Sequence, residues 1–218
     1  MAIPYPLATI LENLTAMRVI RLILIFLVGG LLINLTYKSQ FRIFFGDAIF
    51  WFFLIIVGLA VLIWTLIIDI KLYKSGKKLH NFTLTFLCTI FSGIILGLEI
   101  KIQNNFNKPT LLKVFYDGDY NGAAIDFKKN GTYIFDNCAI GLCDYTYGEY
   151  KINGNNITLD KDNIGNITNL KHLEIKEKQI EYRDSARSEL YLFQVDEKSN
   201  IIEGGLEYRV TIDNRKQD

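Results

Sequence analysis

The stretch AIFWFFLIIVGLAVLIWTLIIDI, residues 48–70, decides the architecture of this chain. A helix needs about 20 consecutive apolar residues to cross the hydrocarbon core of a bilayer, and this run reaches that length before its first charge at Asp69. Comparable apolar runs lie on both sides of it, over about residues 19–35 and 82–100. The sequence therefore predicts a membrane anchor of three transmembrane helices within residues 1–103.

The charged residues of this apolar part are predicted to lie at the ends of the spans. Asp47, Asp69 and Glu99 each fall near the end of a run, where water or lipid headgroups can solvate a carboxylate, and Arg21 bounds the first run in the same way. An acid at the centre of a span would have indicated a proton or ion path. We therefore expect neither a transporter nor a channel.

The remainder of the 218-residue chain has a different composition. Up to Lys108 the chain holds ten basic and four acidic residues, a net charge of +6, whereas the rest holds 14 basic and 19 acidic residues, a net charge of −5. This change predicts a short polar linker over residues 104–110 and a soluble domain over 111–218. An acidic domain is a poor electrostatic match for nucleic acid, so we expect no nucleic-acid partner.

The loops predict the orientation of the anchor. The second loop, KLYKSGKKLH at residues 71–80, contains four lysines, whereas the first loop contains only Lys38 and Arg42. Loops rich in lysine and arginine stay in the cytoplasm. In a bacterial inner membrane this places the amino terminus inside and the C-terminal domain in the periplasm.

Beyond residue 110 apolar and polar residues alternate, which is typical of strands with one buried face. Ile125 and Phe127 share one face, and Asp126 and Lys128 share the other. The same alternation recurs in the pairs Tyr133 and Phe135, Ile157 and Leu159, Leu173 and Ile175, Ile180 and Tyr182, Leu190 and Leu192, and Tyr208 and Val210. About eight or nine short strands follow from this pattern.

Three Asn-Gly pairs, at residues 121–122, 130–131 and 153–154, separate these runs. Both residues of such a pair tolerate positive φ, so each pair predicts a tight hairpin. Short strands joined by hairpins favour an antiparallel up-and-down barrel or a curled sheet, because closure removes exposed edges. An eight-stranded barrel is filled by its own side chains or holds one small ligand.

The stretches FKKNGTYIFDN, residues 127–137, and YGEYKINGNNITLD, residues 147–160, resemble the repeated hairpins of bacterial lipocalin-like domains. Uncharacterised membrane-anchored proteins of Bacteroidota-type bacteria show a similar arrangement of anchor and C-terminal domain. The resemblance covers residues 112–160 and implies a lipocalin-like barrel. A pattern of strands and turns carries information about fold rather than function.

Cys138 and Cys143 lie in the segment DNCAIGLCDY, at the end of one predicted strand and the start of the next. A disulfide across a hairpin loop fits this spacing if the domain lies outside the cytoplasm, and so small a ring contributes roughly 2 kcal/mol. The alternative is a pair of reduced thiols. With no CxxC motif and only His80 and His172, we expect no metal site at these cysteines.

Asp117, Asp119 and Asn121 reproduce the first half of an EF-hand calcium loop, with Gly122 at the sharp turn. Oxygen ligands at alternate positions suit calcium, but the position that should supply a bidentate glutamate is Lys128. The competing interpretation is a polar turn stabilised by its own aspartates.

Gly93 and Gly97 form a GxxxG spacing in the third span. Small residues one turn apart let helix backbones approach closely, either within one chain or in a homo-oligomer joined through its transmembrane helices.

Arg183 and Arg187 near Ser185 and Ser188 suggest either an anion site or an exposed hairpin loop.

The soluble domain is rich in aromatic residues, which either line an apolar pocket or fill the barrel core. These residues are Phe115, Tyr116, Tyr120, Tyr133, Phe135, Tyr145, Tyr147, Tyr150, Tyr182, Tyr191, Phe193 and Tyr208.

The sequence contains no nucleophile elbow, P-loop, dinucleotide fingerprint or zinc-binding helix, so we expect neither enzymatic activity nor a cofactor. The first hypothesis is a non-enzymatic envelope protein whose barrel binds a small ligand, a lipid or an envelope partner. The alternative resembles some anti-phage membrane effectors, in which a β-barrel senses a cyclic nucleotide in the cytosol and triggers membrane disruption. The lysine-rich second loop and the acidic head argue against it.

Overall fold

The computed structural model of the chain describes residues 5–164, 171–182 and 185–215, with side chains described within 15–164, 171–181 and 186–215. The chain divides into two compact units. The first holds residues up to 39 together with 45–102, and the second holds residues 40–44 together with those from 103 onwards. The first unit is helical, and the second consists mainly of β-strands.

Three long helices form the first unit. They are α1 (Tyr5–Ser39), α2 (Phe45–Gly76) and α3 (Thr83–Phe106), the last preceded by a short 3-10 helix at Leu79–Phe82. All three are long and apolar enough to cross a membrane. The predicted apolar helices are thus confirmed: α1 and α2 extend beyond their predicted spans at both ends, and α3 extends beyond its span at the carboxyl end.

Two clusters of buried apolar side chains pack the helices against one another. The first contains Ile25 from α1, Val61 from α2, and Leu84 and Cys88 from α3. The second contains Val28 and Leu32 from α1 and Leu54 from α2. Many large apolar residues on the other faces remain exposed, and apolar surface of this extent is typical of contact with a membrane.

Gly29 marks a close approach between α1 and α3. A Cβ atom at Gly29 would lie 2.4 Å from Cδ1 of Phe91, whereas one at Gly30 would meet no atom within 4 Å. We expect Gly29→Ala to displace Phe91 and to destabilise the detergent-solubilised protein by about 1–3 kcal/mol, as overpacking does. Gly30→Ala should leave stability unchanged or raise it, because alanine favours a helix over glycine by about 1 kcal/mol. Equal thermal shifts for the two variants would contradict this contact.

The described residues of the second unit form nine strands. They are β1 (Arg42–Phe44), β2 (Thr110–Gly118), β3 (Asn121–Lys128), β4 (Thr132–Ala139), β5 (Leu142–Asn153), β6 (Asn156–Leu159), β7 (His172–Tyr182), β8 (Ser185–Gln194) and β9 (Glu207–Asp213). The pairings between them are antiparallel. The predicted antiparallel β domain is therefore confirmed.

The strands β2 to β9 follow one another around a ring. Each of them pairs with the next in sequence, β5 with β6 included, and β9 pairs with β2. A sheet that returns to its own first strand has few free edges at which another chain could pair. The arrangement follows from the short hairpins, because antiparallel neighbours need only a tight turn between them.

The remaining strand, β1, lies in the connection between α1 and α2. It pairs with the first residues of β5, so that Ile43 lies opposite Cys143 and Phe44 opposite Leu142. The sequence placed residues 40–44 in the anchor, because three residues are too few to show an alternating pattern. The structure instead groups them with the β unit.

The predicted alternation identifies most of the interior of the ring. Ile125, Phe127, Tyr133 and Phe135 all belong to one buried cluster. Lys128 shares a face with Asp126, as the alternation predicts, and bonds to it, yet Lys128 is only 2% exposed. The alternation assigns the face but not its burial, which comes from a segment outside the predicted strands, as described below.

Of the three predicted Asn-Gly turns, Asn130-Gly131 forms where expected, between β3 and β4, with Gly131 at positive φ. Between β5 and β6 the turn is shifted by one residue: Asn153 ends β5, and the turn residues are Gly154, at positive φ, and Asn155. The third pair does not form the turn, because β3 already begins at Asn121 and the turn residues are Asp119 and Tyr120. Asp117 Oδ1 accepts a hydrogen bond from the Asp119 N–H, and this local bond favours a turn one step earlier.

Candidate functional site

A buried ion pair joins all three helices of the helical unit. Arg21 Nη1 on α1 donates a 2.8 Å hydrogen bond to Asp69 Oδ1 on α2, and the two side chains are 3% and 1% exposed. The other carboxylate oxygen of Asp69 accepts bonds from the Thr85 hydroxyl, at 2.8 Å, and from the Thr85 N–H, at 3.2 Å, on α3. Both oxygens of this acid are therefore hydrogen-bonded by neighbouring helices.

The expectation that Asp69 lies at a span end, solvated by water or headgroups, was wrong. α2 continues to Gly76, and packing against α1 and α3 buries the carboxylate. The sequence carried one signal that could have found the pair: Arg21 lies inside an apolar run rather than before it. Among the described residues, Arg21 Nε and Thr65 Oγ1 are buried without a hydrogen-bond partner.

A cavity of about 250 Å³ lies between the three helices. The lining of the cavity is mostly apolar. It includes Val28 and Gly29 from α1, Gly58 from α2, and Phe91 and Ser92 from α3. The cavity is partly open at its surface, and an apolar cavity of this size has room for an apolar group. The helical unit therefore has space for part of an apolar molecule.

In the β unit, the end of α3 is held by a buried lysine. Lys128 Nζ donates 2.7 Å hydrogen bonds to the carbonyl oxygen of Phe106, the last residue of α3, and to Asp126 Oδ2. Asp126 Oδ1 accepts a bond from the Thr110 hydroxyl at the start of β2. A cation at the carboxyl end of a helix satisfies a free carbonyl and interacts favourably with the helix dipole.

Aromatic side chains cover the same face of the sheet. The Phe106 ring packs edge-on against Tyr145, with centroids 5.2 Å apart, and Phe41 packs edge-on against Tyr147. The Tyr147 hydroxyl donates a 2.6 Å bond to the carbonyl oxygen of Gln40. Both chain segments that join the helices to this unit therefore contact β5, and we call this set of contacts the connection face.

Burial changes the acidity of groups on the connection face. Desolvation raises the pKa of Tyr147 to about 12, and it also raises the pKa of Tyr145, with a further contribution from the nearby Asp136 carboxylate. Desolvation also raises the pKa of Asp136, although the hydrogen bond that its carboxylate accepts from the Ala124 N–H lowers this pKa. These tyrosines stay protonated at neutral pH and act as hydrogen-bond donors rather than as bases.

Aromatic residues fill the interior of the ring. Tyr133 donates a 3.1 Å bond to Asp160, and Tyr150 donates a 2.8 Å bond to the carbonyl oxygen of Lys128. The Phe127 ring packs 4.9 Å from Tyr150. Burial raises the pKa of Tyr150 to about 12 and that of Tyr133 further still. Some of the predicted aromatic residues thus lie in the interior and others on the connection face, whereas Phe115 and Tyr120 are exposed.

The predicted cysteine pair lies at the hairpin between β4 and β5. Cys138 and Cys143 are directly opposite each other in the two strands, with Cα atoms 4.1 Å apart, and their sulfur atoms are at bonding distance. Antiparallel neighbours without a hydrogen bond between them come this close. Oxidation of the pair in the cell remains a prediction, for which an experiment is given below.

The candidate calcium ligands Asp117, Asp119 and Asn121 lie at the turn between β2 and β3. Asp119 has a φ of 65°, and its N–H bonds to Asp117 Oδ1. These features match the polar-turn interpretation. Within the parts of the chain that the structure describes, no group of three or more His, Cys, Asp or Glu side chains is placed to hold a metal ion. Calcium binding stays the untested alternative.

The GxxxG residues of α3 are not used to pack the described helices. A Cβ atom at Gly93 or Gly97 would meet no atom within 4 Å, so self-association through this face stays a prediction.

At the predicted anion site, Arg187 is exposed, and its Nε atom lies 3.6 Å from Glu189 Oε1. The Ser188 hydroxyl donates a hydrogen bond to Glu177. Arg183 and the side chain of Ser185 lie outside the described residues.

Comparison of the chain with protein-family models, with curated proteins and with solved structures found no match.

Proposed function

We propose that this chain is a non-enzymatic protein of the bacterial inner membrane, in which three transmembrane helices carry a small up-and-down, lipocalin-like β-barrel in the periplasm. The head binds a lipid, a small ligand or another envelope protein. The observation that carries this proposal is the connection face. Two segments that adjoin the helices in the chain, residues 40–44 and the end of α3, belong to the β unit and contact strands of the ring.

The packing of the ring favours binding on its outside. Fifteen buried residues in one cluster, none more than 8% exposed, occupy its interior. An eight-stranded barrel of this kind is just wide enough to be filled by its own side chains. The proposed partner therefore binds to the outer surface or the rims, which suits a lipid surface or a protein better than an enclosed small molecule.

The charge distribution and the cysteine pair support the periplasmic side. Four lysines lie at the end of α2 and in the loop that follows it, and segments rich in lysine beside a span stay in the cytoplasm. With three spans, the head then lies on the opposite side. Cys138 and Cys143 are placed to form a disulfide, which persists in an oxidising compartment such as the periplasm.

Reporter fusions in a bacterial host test the side of the membrane. We expect alkaline phosphatase fused after Asp218 to be active and a green fluorescent protein fused there to be dark. The matched control is a fusion after Lys78, in the lysine-rich loop, where the two reporters should give the opposite result. The reverse pattern at both positions would contradict the proposal and favour the cytosolic cyclic-nucleotide effector instead.

Thiol counting provides an independent test. The chain has three cysteines. After denaturation without a reductant, we expect an alkylating reagent to modify only Cys88, whereas all three should react after reduction. In the Cys138→Ser/Cys143→Ser variant the two treatments should give the same single modification. Three reactive thiols before reduction would show that the head does not reside in an oxidising compartment.

A further inference from the structure

The hairpin between β4 and β5 ends in an apolar tip. Its two turn residues are Ile140 and Gly141, and Ile140 is 85% exposed. Ala139 and Leu142 flank the turn, so that no charged residue lies in the tip itself. Isoleucine is among the residue types most often buried in folded proteins, yet this side chain is left in contact with solvent by the fold.

The pairing of β1 places this tip beside the start of a candidate span. Leu142 lies opposite Phe44, the last residue of β1. Phe44 is followed directly by Phe45, with which α2 begins, and α2 is long and apolar enough to cross a membrane. Because adjacent strands lie about 5 Å apart, the pairing holds the tip within a few ångströms of Phe44, the residue that directly precedes α2 in the chain.

The surroundings of the tip match a membrane interface. Phe44 and Phe45 are 48% and 68% exposed. On the neighbouring hairpin, Asn121 pairs with Ala139, so that Tyr120, which is 80% exposed, lies at the same end of the sheet. Tyrosine and apolar side chains are typical of the layer between lipid headgroups and acyl chains.

Other turns of the ring have a different composition. The turn between β3 and β4 contains Asn130 and Gly131, and the turn between β5 and β6 contains Gly154 and Asn155. Both are polar, and by the strand register both lie at the opposite end of the sheet from Ile140. The two turns at that end are thus polar, whereas Ile140, Tyr120 and Phe44 lie at the end of the ring at which β1 leads into α2.

We propose that the Ile140 hairpin inserts into the headgroup–acyl boundary of the bilayer that α2 crosses. The contact would fix one end of the ring at the lipid surface, in addition to the covalent connections. It applies on either side of the membrane, so it does not depend on the proposed orientation of the head. It requires only that the helices cross a bilayer.

The test uses the full chain in nanodiscs of phosphatidylcholine, whose neutral headgroups do not repel the nearby Asp117 and Asp119. Trp51 and Trp64 are replaced by phenylalanine, and a single tryptophan is introduced by Ile140→Trp. The matched control is Lys151→Trp, an exposed position near the other end of β5. Far-UV circular dichroism checks that both variants keep the parental secondary structure.

We expect the tryptophan introduced at position 140 to show blue-shifted emission and loss of emission with brominated phosphatidylcholine. Lipids brominated near the headgroup end of the acyl chains should quench it more than lipids brominated near the methyl end. The control at position 151 should be quenched by aqueous iodide and not by lipid. Equal iodide quenching at both positions, without lipid quenching at 140, would overturn the proposal.

A second version of the experiment keeps the native tryptophans. The same two substitutions are made in the unaltered chain, and the lipid quenching of the parent protein is subtracted. This version remains informative if the phenylalanine replacements disturb the helices, because Trp51 then keeps its bond to Thr36. A zero difference for Ile140→Trp would contradict insertion.

Discussion

Replacing Arg21 with methionine should lower the free energy of unfolding of the helical unit by about 3–5 kcal/mol, because Asp69 would remain as an unpaired buried charge. Asp69 is 1% exposed, and its remaining hydrogen bonds come from Thr85 alone. The change can be measured by following helix content while the fraction of a denaturing detergent in mixed micelles is raised. Globular domains have only about 5–15 kcal/mol of stability to lose, so a loss of this size is large.

Two further variants separate the ion pair from the loss of arginine itself. Arg18→Met changes an exposed arginine one turn earlier on α1 and should have little effect. The double variant Arg21→Met/Asp69→Leu removes both charges, and it should recover much of the lost stability, since apolar replacements for a buried pair are often neutral or stabilising. Equal losses in the Arg18 and Arg21 variants, or no recovery in the double variant, would contradict the ion pair.

Phe127→Ala should destabilise the β unit by about 3–5 kcal/mol, because removing a fully buried ring leaves a cavity that its neighbours cannot close. Phe127 is buried completely, and its ring packs against Tyr133 and Tyr150. Those tyrosines give near-ultraviolet circular dichroism that depends on their packing. Denaturant unfolding of the full chain, followed by that signal, measures the loss.

Phe115→Ala is the matched control for the ring. Phe115 lies on the adjacent strand β2, but its side chain is 41% exposed. Its removal should cost far less, because little of the ring leaves a packed environment. If the two alanine variants lowered the midpoint of unfolding equally, Phe127 would not belong to the interior of the ring.

The three apolar helices were predictable because their signal is long and local. A run such as residues 48–70 can adopt few structures, because its backbone N–H and C=O groups must bond to one another wherever lipid surrounds them. The strands were predictable for a similar reason. Ile125 and Phe127 alternate with polar neighbours, and glycines 131 and 154 occupy turn positions that require positive φ.

The candidate site was only partly predictable. The sequence pointed to Cys138 and Cys143, which the hairpin indeed brings opposite each other. It did not point to Lys128, because alternation assigns a face but not what covers that face. The covering groups belong to the end of α3, far away in sequence, and the polar contact with Phe106 exists only once the sheet and the helix end are assembled.

The sequence by itself determined that this chain has three apolar helices followed by antiparallel strands, because hydrophobic length and period-two alternation act within short windows. Only the tertiary structure decided the partners of Asp69, the burial of Lys128 and the membership of Phe44 in the sheet. The physical reason is distance along the chain. A buried charge or a three-residue strand is stable only through groups dozens of residues away, and no local pattern records which groups those are.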